Sequence, residues 1–284
     1  MELSHTTLLE LTKLIHRLSG LAIGGDKAYL VRHRLAPLVR RHGLETFEQF
    51  LHKLQAKGST HLQDAVVEAI TTKETSFFRD PWLYDALLQQ VLPALAAALQ
   101  RAGGARHRVR IWSAGTSTGQ EAYSLAMLVR ELIDGSRGSL HDRHFNILAS
   151  DISSEAIETA KAGSYSKADI DRGLSESRLR RHFTRRGDRW IVGDSLRQLV
   201  QFRQFNLLHP PTELGAFDLV LCRNVLIYFD EPTRARVCRG VHRVLNDGAW
   251  LALGSAESLY GIESDLQTIT FGRAVIYCKS NSSD

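Results

Sequence analysis

The chain is poor in sulfur and in proline: its 284 residues hold three cysteines, two methionines and six prolines. Cys222, Cys238 and Cys278 are odd in number and show no C-x-x-C or other metal-like spacing. That pattern excludes a disulfide scaffold and a zinc finger, and it points to reduced thiols in a cytoplasmic protein. No apolar run reaches the roughly 18 residues of a membrane span, so no membrane insertion is expected. The N-terminus, MELSHTTLLELTKLIHRL, is amphipathic and carries Glu2 and Glu10. It lacks the apolar block and cleavage site of a signal peptide. G-x-G-x-x-G and GK[ST] are both missing, so the usual phosphate cradles are absent. Charge of one sign is not dominant either. Lys plus Arg is 36 and Asp plus Glu is 31, a net charge of +5. With a pI near 9.2, this balance allows an acidic partner without establishing nucleic-acid binding.

What is present suffices for a globular core: 43% of residues are hydrophobic and 24% charged. The length allows one large domain or two smaller ones. The first 70 or so residues read as helices. Leu8, Leu11, Leu14, Ile15 and Leu18 recur at helical spacing, and Gly20 can end that helix. A second helix runs through YLVRHRLAPLVRRHGL, with Leu30, Val31, Leu35, Leu38 and Val39 on one side. Arg32, His33, Arg34, Arg40 and Arg41 take the other side, and Pro37 should kink the helix. Phe47, Phe50, Leu51 and Leu54 suggest a third helix, and Leu62, Val66, Val67 and Ile70 a fourth.

After residue 105 the pattern changes. VRIWSA, HFNILASD, FDLVLCRN, GAWLALGS and RAVIYCK read as strands, the first three each followed by a helix. Strands alternating with helices predict an α/β domain with a mostly parallel sheet. TRRGDRWIVGDSLRQLVQFRQFNLL has a tight Arg186-Gly187-Asp188 turn between strand-like runs, which suggests a small antiparallel insert over about 180–204. The domain boundary falls near residue 72, giving units 1–72 and 73–284.

Ligands of open α/β sheets bind beyond the carboxyl ends of the strands. There the first strand runs into Ser113-Ala114-Gly115-Thr116-Ser117-Thr118-Gly119-Gln120-Glu121, and Gly115 and Gly119 permit close backbone approach. The second strand ends in Asp151. An acid there either accepts hydrogen bonds from ribose hydroxyls or caps the next helix, a role Ser153 or Ser154 can also fill. Glycine loop, acid and βαβ order together favour a nucleoside-containing cofactor. Without a phosphate cradle, S-adenosylmethionine fits better than a dinucleotide. The third strand ends in Cys222-Arg223-Asn224-Val225-Leu226-Ile227-Tyr228-Phe229, which sets Asn224 and Tyr228 beside the pocket. The linker Thr71-Thr72-Lys73-Glu74-Thr75-Ser76-Phe77-Phe78-Arg79-Asp80-Pro81 combines a polar run, two aromatics and an arginine. Either it reaches the site or its Phe pair packs the linker down, with Arg79 bound to Asp80 or another acid.

TTKETSFFRD (71–80), IWSAGTSTGQEAYSLAM (111–127), ILASDIS (147–153), QFNLL (204–208) and FDLVLCRNVLIYFD (217–230) occur in this order. With them the chain resembles the CheR-type chemotaxis receptor methyltransferases. The resemblance implies a Rossmann-like S-adenosylmethionine-dependent methyltransferase domain with a small antiparallel β insert, preceded by an all-α receptor-docking domain. It implies methyl transfer to glutamate side chains of chemoreceptors, giving γ-methyl esters and S-adenosylhomocysteine. By the same resemblance Thr75 and Arg79 face the cofactor, and Arg79 also faces the reacting centre. Glu121 contacts the cofactor and Asp151 holds the ribose. Asn206 with Leu207, and Asn224 with Val225, line the adenine and methionine ends, and Tyr228 lies near the transferred methyl. Lys73 stands where the family motif often has asparagine, as a further cofactor contact. Arg34 and Arg40 fall where the family's basic helix meets acidic methylation helices of the receptor; a solvated basic face is the alternative. The Arg186-Gly187-Asp188 turn is short for a β-subdomain that grips a receptor's C-terminal peptide, so weak or absent tethering is expected.

Two rivals remain. A nucleic-acid amino-methyltransferase would carry an Asn-Pro-Pro-aromatic element; the nearest string, Leu208-His209-Pro210-Pro211-Thr212, lacks both asparagine and aromatic, and Cys222 has no preceding proline. An inactive cofactor-sensing or receptor-binding module is countered by the intact set Arg79, Glu121, Asp151, Asn224 and Tyr228. Oligomeric state leaves no mark in the sequence.

Overall fold

The computed structural model describes residues 2–101, 108–259, 261–262 and 265–280. Four helices open the chain: α1 (His5–Ser19), α2 (Ala28–Arg41), α3 (Phe47–Gln55) and α4 (Thr60–Ile70). Ser4 caps α1 by accepting from the Thr7 N–H, and Gly20 ends it in the left-handed conformation. Pro37 is accommodated inside α2, which is continuous to Arg41. The apolar faces of the four helices make one cluster of their own, centred on Leu11, Ile15, Val31, Leu35, Phe47, Phe50 and Val66. The spacing of these residues in the sequence is the reason: each helix has a single apolar stripe to bury.

A second helical stretch follows the linker, α5 (Pro81–Ala86), a π turn (Leu87–Val91) and α6 (Leu92–Arg101). Sequence periodicity did not single it out. Pro81–Arg101 is long and apolar enough to cross a membrane, but half of its most apolar window is buried inside the protein. Leu83, Leu87, Val91, Leu92 and Leu95 pack in the core of the α/β domain.

The main sheet is built from β1 (Val109–Ala114), β2 (Phe145–Asp151), β6 (Val200–Gln204), β7 (Phe217–Cys222), β8 (Leu245–Leu253), β9 (Leu266–Phe271) and β10 (Ala274–Lys279). Their order is β6-β2-β1-β7-β8-β10-β9. The first five are parallel, and β10 runs antiparallel to both β8 and β9. All six residues of β7 are buried, as expected of a strand covered on both faces. Along β1, Val109 and Ile111 enter one core while Trp112 and Ala114 enter the other. Helix α7 (Gln120–Gly135) covers the first face and α9 (Glu231–Arg243) the second. Helix α8 (Ser154–Ala162) follows β2.

The insert has different bounds from those the sequence suggested. Its sheet joins β3 (Ser164–Ser166), β5 (Arg189–Val192) and β4 (Phe183–Arg186) in the order β3-β5-β4, so it begins near residue 164. The β4–β5 hairpin turns on Gly187 and Asp188, with Arg186 opposite Arg189. β6, which the sequence reading folded into the insert, pairs with β2 at the edge of the main sheet. An isolated short strand of alternating character looks the same locally in either place.

Candidate active site

The strand order reverses between β1 and β7, so their connections leave in opposite directions and open a crevice at their carboxyl ends. Its walls include Thr75, Arg79, Gly115, Ser117, Glu121, Asp151, Asn206, Leu207, Asn224, Val225 and Tyr228, with Ser19 and Leu21 from the helical unit. Nine of the ten residues expected at a cofactor or reaction site, all but Lys73, therefore come together from five separate segments.

The loop after β1 is fastened to β2: the N–H groups of Gly115 and Thr116 both donate to Ser150 O, at 2.8 and 2.9 Å. Gly115 has φ +78°, and a Cβ there would lie 2.3 Å from Val225 Cγ2. Glycine is thus required both by conformation and by the close approach of the opposite wall. Strained backbone gathers around this crevice. Of the five described non-glycine residues with positive φ, four (Phe78, Asp80, Ser117 and Asn224) belong to the loops that form it.

Asp151 accepts from the Ser117 N–H on Oδ2 at 2.8 Å and from the Ser153 N–H on Oδ1 at 3.0 Å. Ser153, not Asp151, caps α8, by accepting from the Ala156 N–H at 2.9 Å. The acid is therefore free of the capping role that was its other reading. A carboxylate offers about four lone-pair sites, so each oxygen keeps one for a donor in the crevice. Burial pushes its carboxyl above the ordinary range, against the pull of the two N–H groups.

Glu121 is buried in the first turn of α7. Its Oε1 accepts from Ser113 Oγ at 2.8 Å, and its Oε2 accepts from Arg223 Nη1 at 2.9 Å. Burial raises its carboxyl and the Arg223 charge only partly offsets this. Arg223 also donates from Nη2 to Asp80 Oδ2 at 2.7 Å and to Arg79 O at 2.8 Å. Sequence reading gave Arg223 no role and offered Asp80 only as a partner of Arg79. Their partners lie up to 144 residues away, and no local pattern reports such a pairing.

The linker is held by its two aromatics, so one half of its structural reading holds. Phe77 meets Tyr165 and Phe183 edge-on with centroids 5.0 and 5.7 Å apart, and Phe78 meets Tyr84 at 5.0 Å. The other half does not hold: Asp80 is taken by Arg223, and the Arg79 guanidinium has no hydrogen-bond or ion-pair partner among the described residues. A clamped backbone thus presents an uncommitted cation to the crevice.

Three expected contacts are placed differently. Lys73 Nζ pairs with Glu68 at 2.5 Å and Glu155 at 2.6 Å and does not line the crevice. Only its carbonyl serves the site, accepting from Ser117 Oγ at 2.9 Å. Asn206 lies in the wall, but its Nδ2 donates to Leu18 O at 2.8 Å and so ties the end of α1 to the loop after β6. Arg34 Nη1 donates to Ala69 O, Ile70 O and Thr71 O, which caps α4, whereas Arg40 is exposed with Arg32 and His33. The helical unit is also part of the crevice itself. Ala22 N–H donates to Tyr228 O at 2.8 Å, Leu21 bridges to Phe229, and His16 meets Asp230 at 3.0 Å.

Comparison with known proteins agrees with this architecture. Residues 7–71 match the all-alpha domain of CheR methyltransferases and residues 73–275 match their SAM-binding domain. Chemotaxis protein methyltransferase 1 of Pseudomonas aeruginosa is 38% identical over 264 residues, covering 93% of this chain and 94% of that protein. Chemotaxis protein methyltransferase 1 of Vibrio cholerae is 37% identical over 259 residues, covering 91% of each. Together with the crevice at the sheet's switch point, these matches lead to one conclusion: the chain belongs to the CheR methyltransferase family.

Proposed function

We propose that this protein methylates glutamate side chains of chemoreceptors with S-adenosylmethionine, releasing S-adenosylhomocysteine, as the adaptation step of chemotaxis signalling in the cytoplasm. The crevice fits the cofactor. Asp151 has two lone-pair sites for a pair of ribose hydroxyls, Gly115 leaves the room that a side chain would fill, and the Asn224 amide has no partner among the described residues. Thr75, Glu121, Leu207 and Val225 complete the walls that would hold it. When bound, S-adenosylmethionine supplies an electrophilic methyl group on a sulfonium sulfur.

The target carboxylate has an ordinary pKa of about 4.3, so it arrives ionised and needs no general base. What it needs is alignment, which can contribute roughly 7–11 kcal/mol in well-oriented systems. Arg79 provides it: its unpaired guanidinium keeps the incoming carboxylate ionised and fixes its approach. Too tight a bidentate grip would stabilise the ground state. Tyr228, 37% exposed at the mouth, shapes the space around the reacting carbon. The observation that carries this reading is the contrast between two arginines: Arg223 is buried and paired through both of its terminal nitrogens, whereas Arg79 faces the crevice free.

The receptor partner is a set of acidic methylation helices, met by the exposed basic face of α2 that carries Arg40. The two-residue Gly187-Asp188 turn supports weak or absent tethering to a receptor C-terminal peptide. The test is transfer of labelled methyl groups to receptor cytoplasmic domains. Label released as methanol by mild base marks a glutamate ester. Label stable to base, or label incorporated only into nucleic acid, overturns the proposal.

A further inference from the structure

We propose that Glu257 is a positioning residue for methyl transfer, holding the Asn224–Tyr228 loop through two of its backbone N–H groups and tying it to the Gly254 N–H; this rests on the reading of the crevice given above. After Cys222 the chain must leave β7 and cross the mouth of the crevice. Asn224 does so at φ 56°, a left-handed conformation that side-chain residues rarely adopt. Such strain persists only where the surroundings over-determine it.

Glu257, in the turn after β8, supplies that constraint. Its Oε2 accepts from the N–H of Asn224 at 2.7 Å and of Gly254 at 2.8 Å, and its Oε1 accepts from the Ile227 N–H at 3.2 Å. Its own N–H returns to Gly254 O at 2.9 Å, which closes the turn. Gly254 must be glycine for this arrangement. A Cβ there would lie 2.6 Å from Glu257 Oε2 and 2.8 Å from Asn224 Nδ2. Asn224, Val225 and Tyr228 line the crevice, and Ile227 sits in the same 3₁₀ turn as Tyr228. One carboxylate therefore fixes both ends of the segment that faces cofactor and reacting carbon. An amide cannot replace it fully, because it has a single acceptor oxygen.

The test compares Glu257→Gln and Glu257→Ala in the full chain. Binding of S-adenosylhomocysteine is measured by calorimetry, single-turnover methyl transfer with a receptor cytoplasmic domain, and melting of the ligand-free proteins by circular dichroism. Glutamine keeps the shape and can serve Asn224 and Gly254 with its oxygen, but it sets an NH2 against the Ile227 N–H. Turnover of Glu257→Gln should fall about 10²-fold, as expected for a misplacement near 1 Å, with product affinity within about threefold. Glu257→Ala should lose about tenfold in product affinity as well, because Asn224 is then released. Wild-type turnover per folded molecule in Glu257→Gln, or losses that follow melting temperature alone, would overturn the positioning role. Wild-type protein that binds no S-adenosylhomocysteine would instead overturn the reading of the crevice beneath it.

Discussion

Arg223 Nη1 lies 2.9 Å from Glu121 Oε2, and both side chains are buried. This pair joins the end of β7 to the start of α7 across the crevice floor. The other arm of the same guanidinium holds Asp80 and the Arg79 carbonyl. The linker's free cation is thus aimed by a second, hidden one. Replacing Arg223 with methionine would leave the buried Glu121 and the half-buried Asp80 without this counter-charge. We expect a loss of about 3–5 kcal/mol in urea unfolding, the usual cost of breaking a buried pair from one side. A loss below about 1 kcal/mol would show that solvent reaches the pair.

Asp151 makes cofactor affinity depend on pH. Burial raises its carboxyl above the ordinary value of 3.8. Below 3.8 the proton is held in folded and unfolded chains alike. As pH rises through the higher folded value, the empty protein must ionise a buried group, and the stability present below that window is lost. Binding has the opposite sign, since ribose hydroxyls need the ionised acceptor. Calorimetric affinity for S-adenosylhomocysteine should weaken on acidification, approaching about tenfold per pH unit, with the onset above pH 3.8. Glu121, raised by its own burial, titrates in the same direction. Asp151→Asn separates the two: it should bind weakly and lose the larger part of the pH dependence. A wild-type affinity that stays flat down to pH 3.8 would contradict this assignment.

Gly115→Ala should damage the site through geometry alone. The residue is left-handed at φ +78°, and the added carbon would lie 2.3 Å from Val225 Cγ2. A side chain in that conformation costs about 1–2 kcal/mol, and overpacking adds about 1–3 kcal/mol. Thermal unfolding should register this sum, and product affinity should fall with it. A variant that melts and binds like wild type would show that the β1 loop and the Val225 wall are looser than they stand here.

The parts of this site that sit at strand ends were legible in the sequence. A strand that runs into glycine, or into a single acid, reports its own role locally, as Gly115 and Asp151 do. The four N-terminal helices were legible for a similar reason, each having one apolar stripe. What was not legible depends on contacts made across the chain. Arg223 is one arginine among many until it meets Glu121 and Asp80. Glu257 looks like any polar turn residue until its oxygens meet Asn224, Gly254 and Ile227. β6 alternates as a hairpin strand would, and only its pairing with β2 places it in the main sheet. Lys73 was misplaced because motif position speaks for the backbone: its carbonyl meets the site while its ammonium turns to Glu68 and Glu155.

The most direct test of the account is Arg79→Ala, followed by single-turnover methyl transfer and by calorimetry with S-adenosylhomocysteine. The account predicts that the transfer rate falls about 10²-fold or more, the scale of lost alignment, while product affinity stays within about threefold. Equal losses in rate and affinity would make Arg79 a cofactor ligand only and would contradict its role in steering the carboxylate.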